Sequence, residues 1–436
     1  MVKLSSWGNY PSVEHANIVP YNWRHEIPHF VDSNSYLAYG LGRSYGDSCL
    51  NDNNSLLHTA QLNKFISFDP TNGIVHCEAG VSLEHILQEF APRGWFLPVT
   101  PGTKYVTVGG AVANDVHGKN HHRRGTFGSH VKSITLLRSD GKTYYCTPLE
   151  NKELFEATIG GMGLTGLITD IAFQLLPIES SYIENQSEKF SCVDDFFMLC
   201  EDSEDDFEYT VAWIDCLAKG KNLGRGHYYR GNHSKKKRKH REKKPLGVIP
   251  FFAPEFVLNP LSIAAFNTLY YNKQFGTLVK NTIHYEPFFY PLDIVHQWNK
   301  LYGKRGFLQY QCVVPLHNGS DAIKELLARV SASGSASFLA VLKKFGHIPS
   351  PGMMSFPCEG YTLTLDFAMR GETTLHLLRT LDDVVKKAGG RLYPAKDARM
   401  SSEMFQYGYP QWTDFSHYID PLFSSTFWRR VTKDIL

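Results

Sequence analysis

No stretch of this 436-residue sequence approaches the 18 or more uninterrupted apolar residues of a membrane-spanning helix. Met1 to Pro11 hold no apolar core of the kind a secretory signal carries. The chain is therefore expected to be cytoplasmic, or peripheral on a membrane surface. Its eight cysteines, at positions 49, 77, 146, 192, 200, 216, 312 and 358, form no CxxC pair and no metal-ligand spacing. They read as scattered reduced thiols, and no metal site is expected. A Walker lysine motif is missing. The GxGxxG fingerprint is incomplete, because Gly40 and Gly42 supply its first half and Tyr45 stands where the third glycine belongs. An excess of one charge is also missing: 45 Lys and Arg against 43 Asp and Glu leave a net charge of +2, which neither demands nor excludes a polyanionic partner.

What is present is a globular composition, 42% hydrophobic, 13% aromatic and 20% charged, over a length that suits two domains. Glycine clusters crowd the first 170 residues. Ala38 to Asp47 reads AYGLGRSYGD; Pro101-Gly102-Thr103 is a tight-turn sequence; Val108 to His122 reads VGGAVANDVHGKNHH; Gly160 to Gly166 reads GGMGLTG. Glycine lets backbone N–H groups approach a ligand closely, and a run of such groups cradles a diphosphate. One such cluster is more often a turn than a ligand loop. Four of them, separated by strand-like runs, point to a nucleotide pocket, and the His, Lys and Asn after Gly109-Gly110 offer a polar wall to a ring edge.

The elements between the clusters are short. Ile74 to Glu78 reads as a strand, followed by an amphipathic helix from Ser82 to Phe90 with Ser82 as its N-cap. Val131 to Arg138 and Lys142 to Cys146 flank an Asp-Gly hairpin signal. Glu153 to Thr158 suggests a short helix and Leu167 to Leu176 a strand that closes a first domain at Pro177. The acidic run Glu201 to Glu208 reads as a solvated turn.

GLGRSYGD, LPVTPGTKYVTVGGAVANDVHGKNHH, GGMGLTG, GFLQYQ and RLYPAKDAR occur in this order from about Trp7 to the C-terminus. Together they resemble the decaprenylphosphoryl-ribose oxidases, flavoprotein halves of arabinose epimerases, within the vanillyl-alcohol-oxidase superfamily. That resemblance implies an α+β fold: a two-subdomain PCMH-type FAD-binding domain (1–180), an antiparallel-sheet substrate domain with flanking helices (181–390), and a C-terminal segment (391–436) returning to the first domain. It implies FAD held by Ala38, Gly40, Gly42, Arg43, Ser44, Tyr45, Gly46, Pro101, Gly102, Thr103, Thr107, Gly109, Gly110, Asn114, His117, Gly118, Asn120, His121, Gly125, Ile168, Tyr393 and Lys396. No His or Cys lies between Ala38 and Ser48, where related flavoproteins often link the cofactor covalently. His117 remains a candidate for attachment, but non-covalent FAD is the expectation.

The reaction implied is oxidation of the 2-hydroxyl of a polyprenyl-phosphoryl-ribose to the ketone, with a separate short-chain reductase completing epimerisation. It needs a base for the alcohol proton and a pocket that orients the sugar, while the cofactor supplies the redox step. Lys396 is the first candidate base, provided burial or nearby cations lower its pKa; otherwise it is a charge clamp. His117 could take the proton instead, or stand as a neutral wall. Lys119 could bind the substrate phosphate, and Tyr45 could pack at the substrate end of the ring system. Gln309 and Gln311 alternate along a strand and so share one face, where they suit sugar hydroxyls or act as structural amides. Trp213, Lys343, Thr362 and Thr364 match positions lining the family's pocket. Thr364 stands where mycobacterial members carry a cysteine captured by covalent inhibitors, and Thr offers no thiolate. Thr362 replaces an Asn.

His233 to Lys244, HSKKKRKHREKK, carries eight Lys or Arg against one Glu and precedes an apolar stretch, Pro245 to Phe266, broken by three prolines. Such a pairing suits the surface of an anionic membrane. A nuclear-import signal or nucleic-acid patch would use the same letters, but no stacking-aromatic or helix-turn-helix pattern accompanies it, and no nucleic-acid partner is expected. An aldonolactone or alditol oxidase using soluble sugars is the competing enzyme reading.

Overall fold

The computed structural model describes residues 4–236, 238, 246–335 and 337–433. The chain is α+β, organised around two antiparallel sheets and a small parallel one. The parallel sheet places β1 (Asn17–Pro20) and β2 (Tyr36–Tyr39) on either side of β3 (Ser55–His58). The first antiparallel sheet uses β4 (Phe65–Asp69), β5 (Ile74–Glu78), β6 (Val131–Leu137), β7 (Thr143–Cys146) and β8 (Leu167–Gln174), in the order β4-β5-β8-β6-β7.

Local chemistry explains the connections. Ser82 caps helix α1 (Leu83–Phe90) by accepting from the His85 N–H at 3.1 Å. The β6–β7 hairpin closes on Gly141, whose φ of +78° suits glycine, with the Lys142 N–H donating to Asp140 Oδ1 at 2.9 Å. Thr107 caps the short helix α2 (Val108–Ala113), accepting from Gly110 N at 3.1 Å.

The second antiparallel sheet has eight strands: β9 (Tyr182–Phe190), β10 (Tyr209–Ile214), β11 (Gly226–His233), β12 (Leu278–His284), β13 (Phe307–Val314), β14 (Ala340–Phe345), β15 (Gly360–Ala368) and β16 (Arg391–Leu392). Their order is β12-β9-β11-β10-β14-β15-β13-β16. Side chains alternate between its two faces. Leu308, Tyr310, Cys312, Leu342, Leu363 and Leu365 join the core beneath helices α4 (Leu316–Ser333) and α5 (Glu372–Lys387), which follow α3 (Pro260–Asn272) in the chain. Gln309, Gln311, Val341, Lys343 and Thr364 point the other way, into a cavity.

After β16 the chain runs back along the first half. Tyr45 N–H donates to Ala395 O, Arg430 bridges Asp47 and Asp397, and Asp420 accepts from Ser139. Gly46 is the tightest point: a Cβ there would fall 1.7 Å from the Asp397 carbonyl oxygen.

The acidic run is a turn with Glu201, Asp202, Asp205 and Asp206 exposed, as read from the sequence, and it is also an ion-paired brace: Glu208 binds Arg124 at 2.8 Å and Glu204 binds Lys344. Opposite charges from neighbouring segments, invisible to a local reading, recruit it. Most of the basic run lies outside the described residues, at 237 and 239–244; Lys235 and Lys236 are exposed. No helix among the described residues is long and apolar enough to cross a membrane.

Candidate functional site

A single cavity of about 840 Å³ is lined by both halves of the chain. Its first wall is backbone-rich. Gly40 to Tyr45, Pro101 to Thr103, Thr107, Gly109, Gly110, Asn114 and Gly118 line it, together with Ala38 and Ile168. The N–H groups of Gly42, Arg43 and Ser44 donate to no acceptor among the described residues. Arg43 adds a buried Nε without a partner there, its guanidinium held 4.4 Å from the Trp7 ring and donating to Leu41 O at 2.7 Å. Unsatisfied donors grouped in one loop are what a diphosphate would satisfy. The cradle therefore fits a dinucleotide such as FAD.

The second wall is made of side chains. Trp213, Gln309, Gln311, Lys343 and Thr364 come from the eight-stranded sheet, Tyr393 and Lys396 from the segment after it, and His117 and Lys119 from the loop after α2. His117 sits at the centre. Gln311 Nε2 lies 2.9 Å from its Nε2, and Lys343 Nζ lies 3.2 Å from its Nδ1. A neutral imidazole has one N–H. With the proton on Nδ1, Lys343 must be a neutral amine accepting it; with the proton on Nε2, facing a turned amide, Lys343 donates to Nδ1 as amine or ammonium. A charged Lys343 thus requires the Nε2–H tautomer of His117.

Lys119, Lys343 and Lys396 line the cavity, and burial dominates their titration. Lys119 and Lys343 are pulled down to about 7 by burial, Lys119 further by the charge of Lys343. Lys396 also falls to about 7: burial lowers it most, Asp366 opposes, and Lys343 lowers it further. The His117 imidazole is pushed well below its ordinary value by burial first, then by Lys343, His121 and Lys396. It is neutral at physiological pH. A wall that carries amines poised near neutrality can accept a proton from an alcohol or hold an anion. Lys396 Nζ stands 3.8 Å over the Tyr45 ring, and Lys119 donates to the Phe288 carbonyl.

Five residues expected at the site do not reach the cavity. Gly46 packs against Asp397, as above. Asn120 is buried and donates to Pro98 O at 2.8 Å and to Glu208. His121 packs on Phe345, ring centres 4.4 Å apart. Gly125 turns the chain with a φ of +69° beside Ile348. Thr362 is fully buried, 3.3 Å beneath the Gln311 amide nitrogen. Thr362 supports a wall residue directly, and the other four pack on groups outside the cavity surface. The sequence reading also missed Trp7, Tyr105, Phe266, Tyr270, Asp293 and Trp298 on the wall, and Asp366 behind it. Asp366 had a signal: it follows Thr362 and Thr364 at spacing two, on the same face of β15.

A family model for an FAD binding domain matches residues 31–147. Decaprenylphosphoryl-beta-D-ribose oxidase from Mycolicibacterium smegmatis is 37% identical over 91% of this chain and 88% of its own length. A Streptomyces coelicolor protein of uncharacterised function is 31% identical over 80% of this chain and 100% of its own. Mouse L-gulonolactone oxidase, at 26% identity, covers 32% of this chain and 31% of its own.

Proposed function

The chain belongs to the decaprenylphosphoryl-beta-D-ribose oxidase family, an FAD-dependent oxidoreductase acting on CH–OH groups, and from that premise we propose that it oxidises the 2-hydroxyl of a polyprenyl-phosphoryl-ribose to the 2-keto sugar. The observation that carries this is likeness over 91% of the chain, where the lactone oxidase matches only 32%. Residues 1–180 bind the cofactor, 181–390 the substrate, and 391–436 join the two.

FAD, when bound, supplies the two-electron acceptor. The backbone wall holds it without a covalent link: no His or Cys lies in the first loop, and both ring nitrogens of His117 face protein partners. Lys396, as neutral amine, takes the hydroxyl proton. Lys119, as ammonium, binds the phosphate. Gln311, Lys343, Trp213 and Thr364 shape the sugar site, with His117 as the neutral wall behind it. A separate short-chain reductase then reduces the keto product.

The substrate's tail places the enzyme on an anionic membrane surface. Helix α3 supports this, because it is turned inside out. It buries Asn267, which donates to Asp215 at 3.0 Å, and leaves Leu261 83% and Leu269 73% exposed. Phe251, Phe256 and Phe275 are exposed on the segments flanking it, while Phe266 and Tyr270 of the same helix line the cavity. Burying three such side chains in lipid contributes roughly 4 to 5 kcal/mol, and each engaged Lys or Arg adds about 1 kcal/mol. Sedimentation with phosphatidylcholine vesicles, with and without phosphatidylglycerol, checks it. Leu261→Ser with Leu269→Ser should abolish binding; unchanged binding removes the membrane assignment.

The substrate reading is tested by anaerobic bleaching of the flavin absorbance with farnesyl-phosphoryl-ribose, ribitol or galactonolactone. Bleaching by the phosphoryl-ribose alone is expected. Bleaching by the soluble sugars instead would overturn it.

A further inference from the structure

Asp366 lies on β15 behind the side-chain wall, 0% exposed, and nothing so far gives it a task. Its carboxylate accepts from Gln309 Nε2 at 2.6 Å, and the Tyr302 hydroxyl lies 3.5 Å from its other oxygen. An ionised carboxylate has no proton to give, so it selects the nitrogen of the Gln309 amide and fixes which way that amide faces. Gln309 and Tyr45 both line the cavity, and Tyr302 stacks on Phe307 with ring centres 4.2 Å apart, which in turn meets the Tyr45 ring at 5.5 Å. Tyr45 in turn carries Lys396 over its ring at 3.8 Å and donates its backbone N–H to Ala395, next to Lys396. Gln309 therefore commits its amide nitrogen to Asp366, which leaves the amide oxygen for the cavity it lines.

We propose that Asp366 is a positioning residue for the oxidation: its carboxylate fixes the orientation of the Gln309 amide at the cavity wall and gives Lys396 a buried counter-charge. This rests on the reading of Lys396 as proton acceptor. The titratable and charged groups around the carboxyl are Tyr302, Tyr45 and Lys396, with Lys343 beyond Lys396. Burial raises Asp366 to about 7, while the Gln309 bond and the Lys396 charge pull it down. Asp366 in its charged form raises Lys396 against the burial that lowers it. The two buried groups thus hold each other near the pH at which both exchange protons. Without the carboxylate, Lys396 has burial and Lys343 acting on it alone, and both act downward.

The test is the titration of Lys396 itself, read without substrate. Lysines of the FAD-loaded protein are reductively methylated with carbon-13 formaldehyde, and the Lys396 signal, assigned by its absence in Lys396→Met, is followed against pH. Asp366→Asn should lower the midpoint by about one pH unit. Gln309→Leu removes a bond that holds Asp366 ionised, so it should shift the midpoint the same way by less. A purely structural Asp366 would lower thermal stability and leave the midpoint in place. An unchanged midpoint in whichever of the two variants folds overturns the proposal. Because no substrate is present, failure of the substrate reading leaves this result standing.

Discussion

The two walls of the cavity solve different problems by opposite means. The first presents backbone N–H groups from glycine-rich loops, whose chemistry is the same at every pH. The second presents buried side chains, and burial has moved three of them, Lys119, Lys343 and Lys396, to about 7. A fixed donor array suits a permanent tenant such as FAD. Groups that gain and lose protons near neutrality suit the substrate and the step it undergoes. Binding and chemistry are thereby separated onto different kinds of atom.

The largest effect should come from breaking the packing behind the first wall. Gly46→Val would drive a side chain into the Asp397 carbonyl, a backbone group that cannot turn aside. Overpacking of this kind costs about 3 kcal/mol or more, and the purified protein should be colourless or insoluble. Next comes Lys396→Met in the second wall. It should keep its yellow colour yet lose roughly 10²- to 10⁴-fold in the rate of anaerobic flavin bleaching. Lys119→Met should weaken substrate binding instead, raising KM about tenfold to a hundredfold, as loss of a charged hydrogen bond does, with kcat nearly kept. If Lys119→Met lost kcat and kept KM, the phosphate assignment would move elsewhere. The smallest effect belongs to Thr364→Cys, a swap of similar volume at the wall, which should change turnover by less than about tenfold. Thiol-directed reagents reaching the cavity should then inactivate this variant and spare the parent.

The same contrast governs what the sequence disclosed. Glycine loops announce themselves locally, because a close backbone approach needs glycine whatever surrounds it; the Ala38-to-Ser44 and Pro101-to-Gly110 stretches were readable for that reason. Gln309 and Gln311 were readable from alternation along one strand. Asp366 obeys the same alternation, two residues beyond Thr364, and went unnoticed because a lone acid in a strand gains its meaning only when its buried partners are placed. Asn120 and His121 belong to the most distinctive run in the chain, yet they pack outside the cavity surface. A motif marks a segment, and packing decides which members face the ligand. Helix α3 resisted for a different reason: its residues are apolar almost throughout, so no stripe shows which side faces out. The titration of the lysines is likewise set by burial first and by neighbouring charges from other segments, neither of which the sequence displays.

The account divides labour between Lys396 as base and Lys119 as clamp, and the pH dependence of kcat/KM tests that division most directly. A base must be neutral, so its contribution grows as pH rises through its pKa; a clamp must be charged, so its contribution fades over the same range. With both near 7 in the free enzyme, kcat/KM should trace a narrow bell centred close to neutrality, and Lys119→Met should remove the alkaline limb alone. A profile that only falls as pH rises, with no acid limb, would make Lys396 a second clamp and contradict the account.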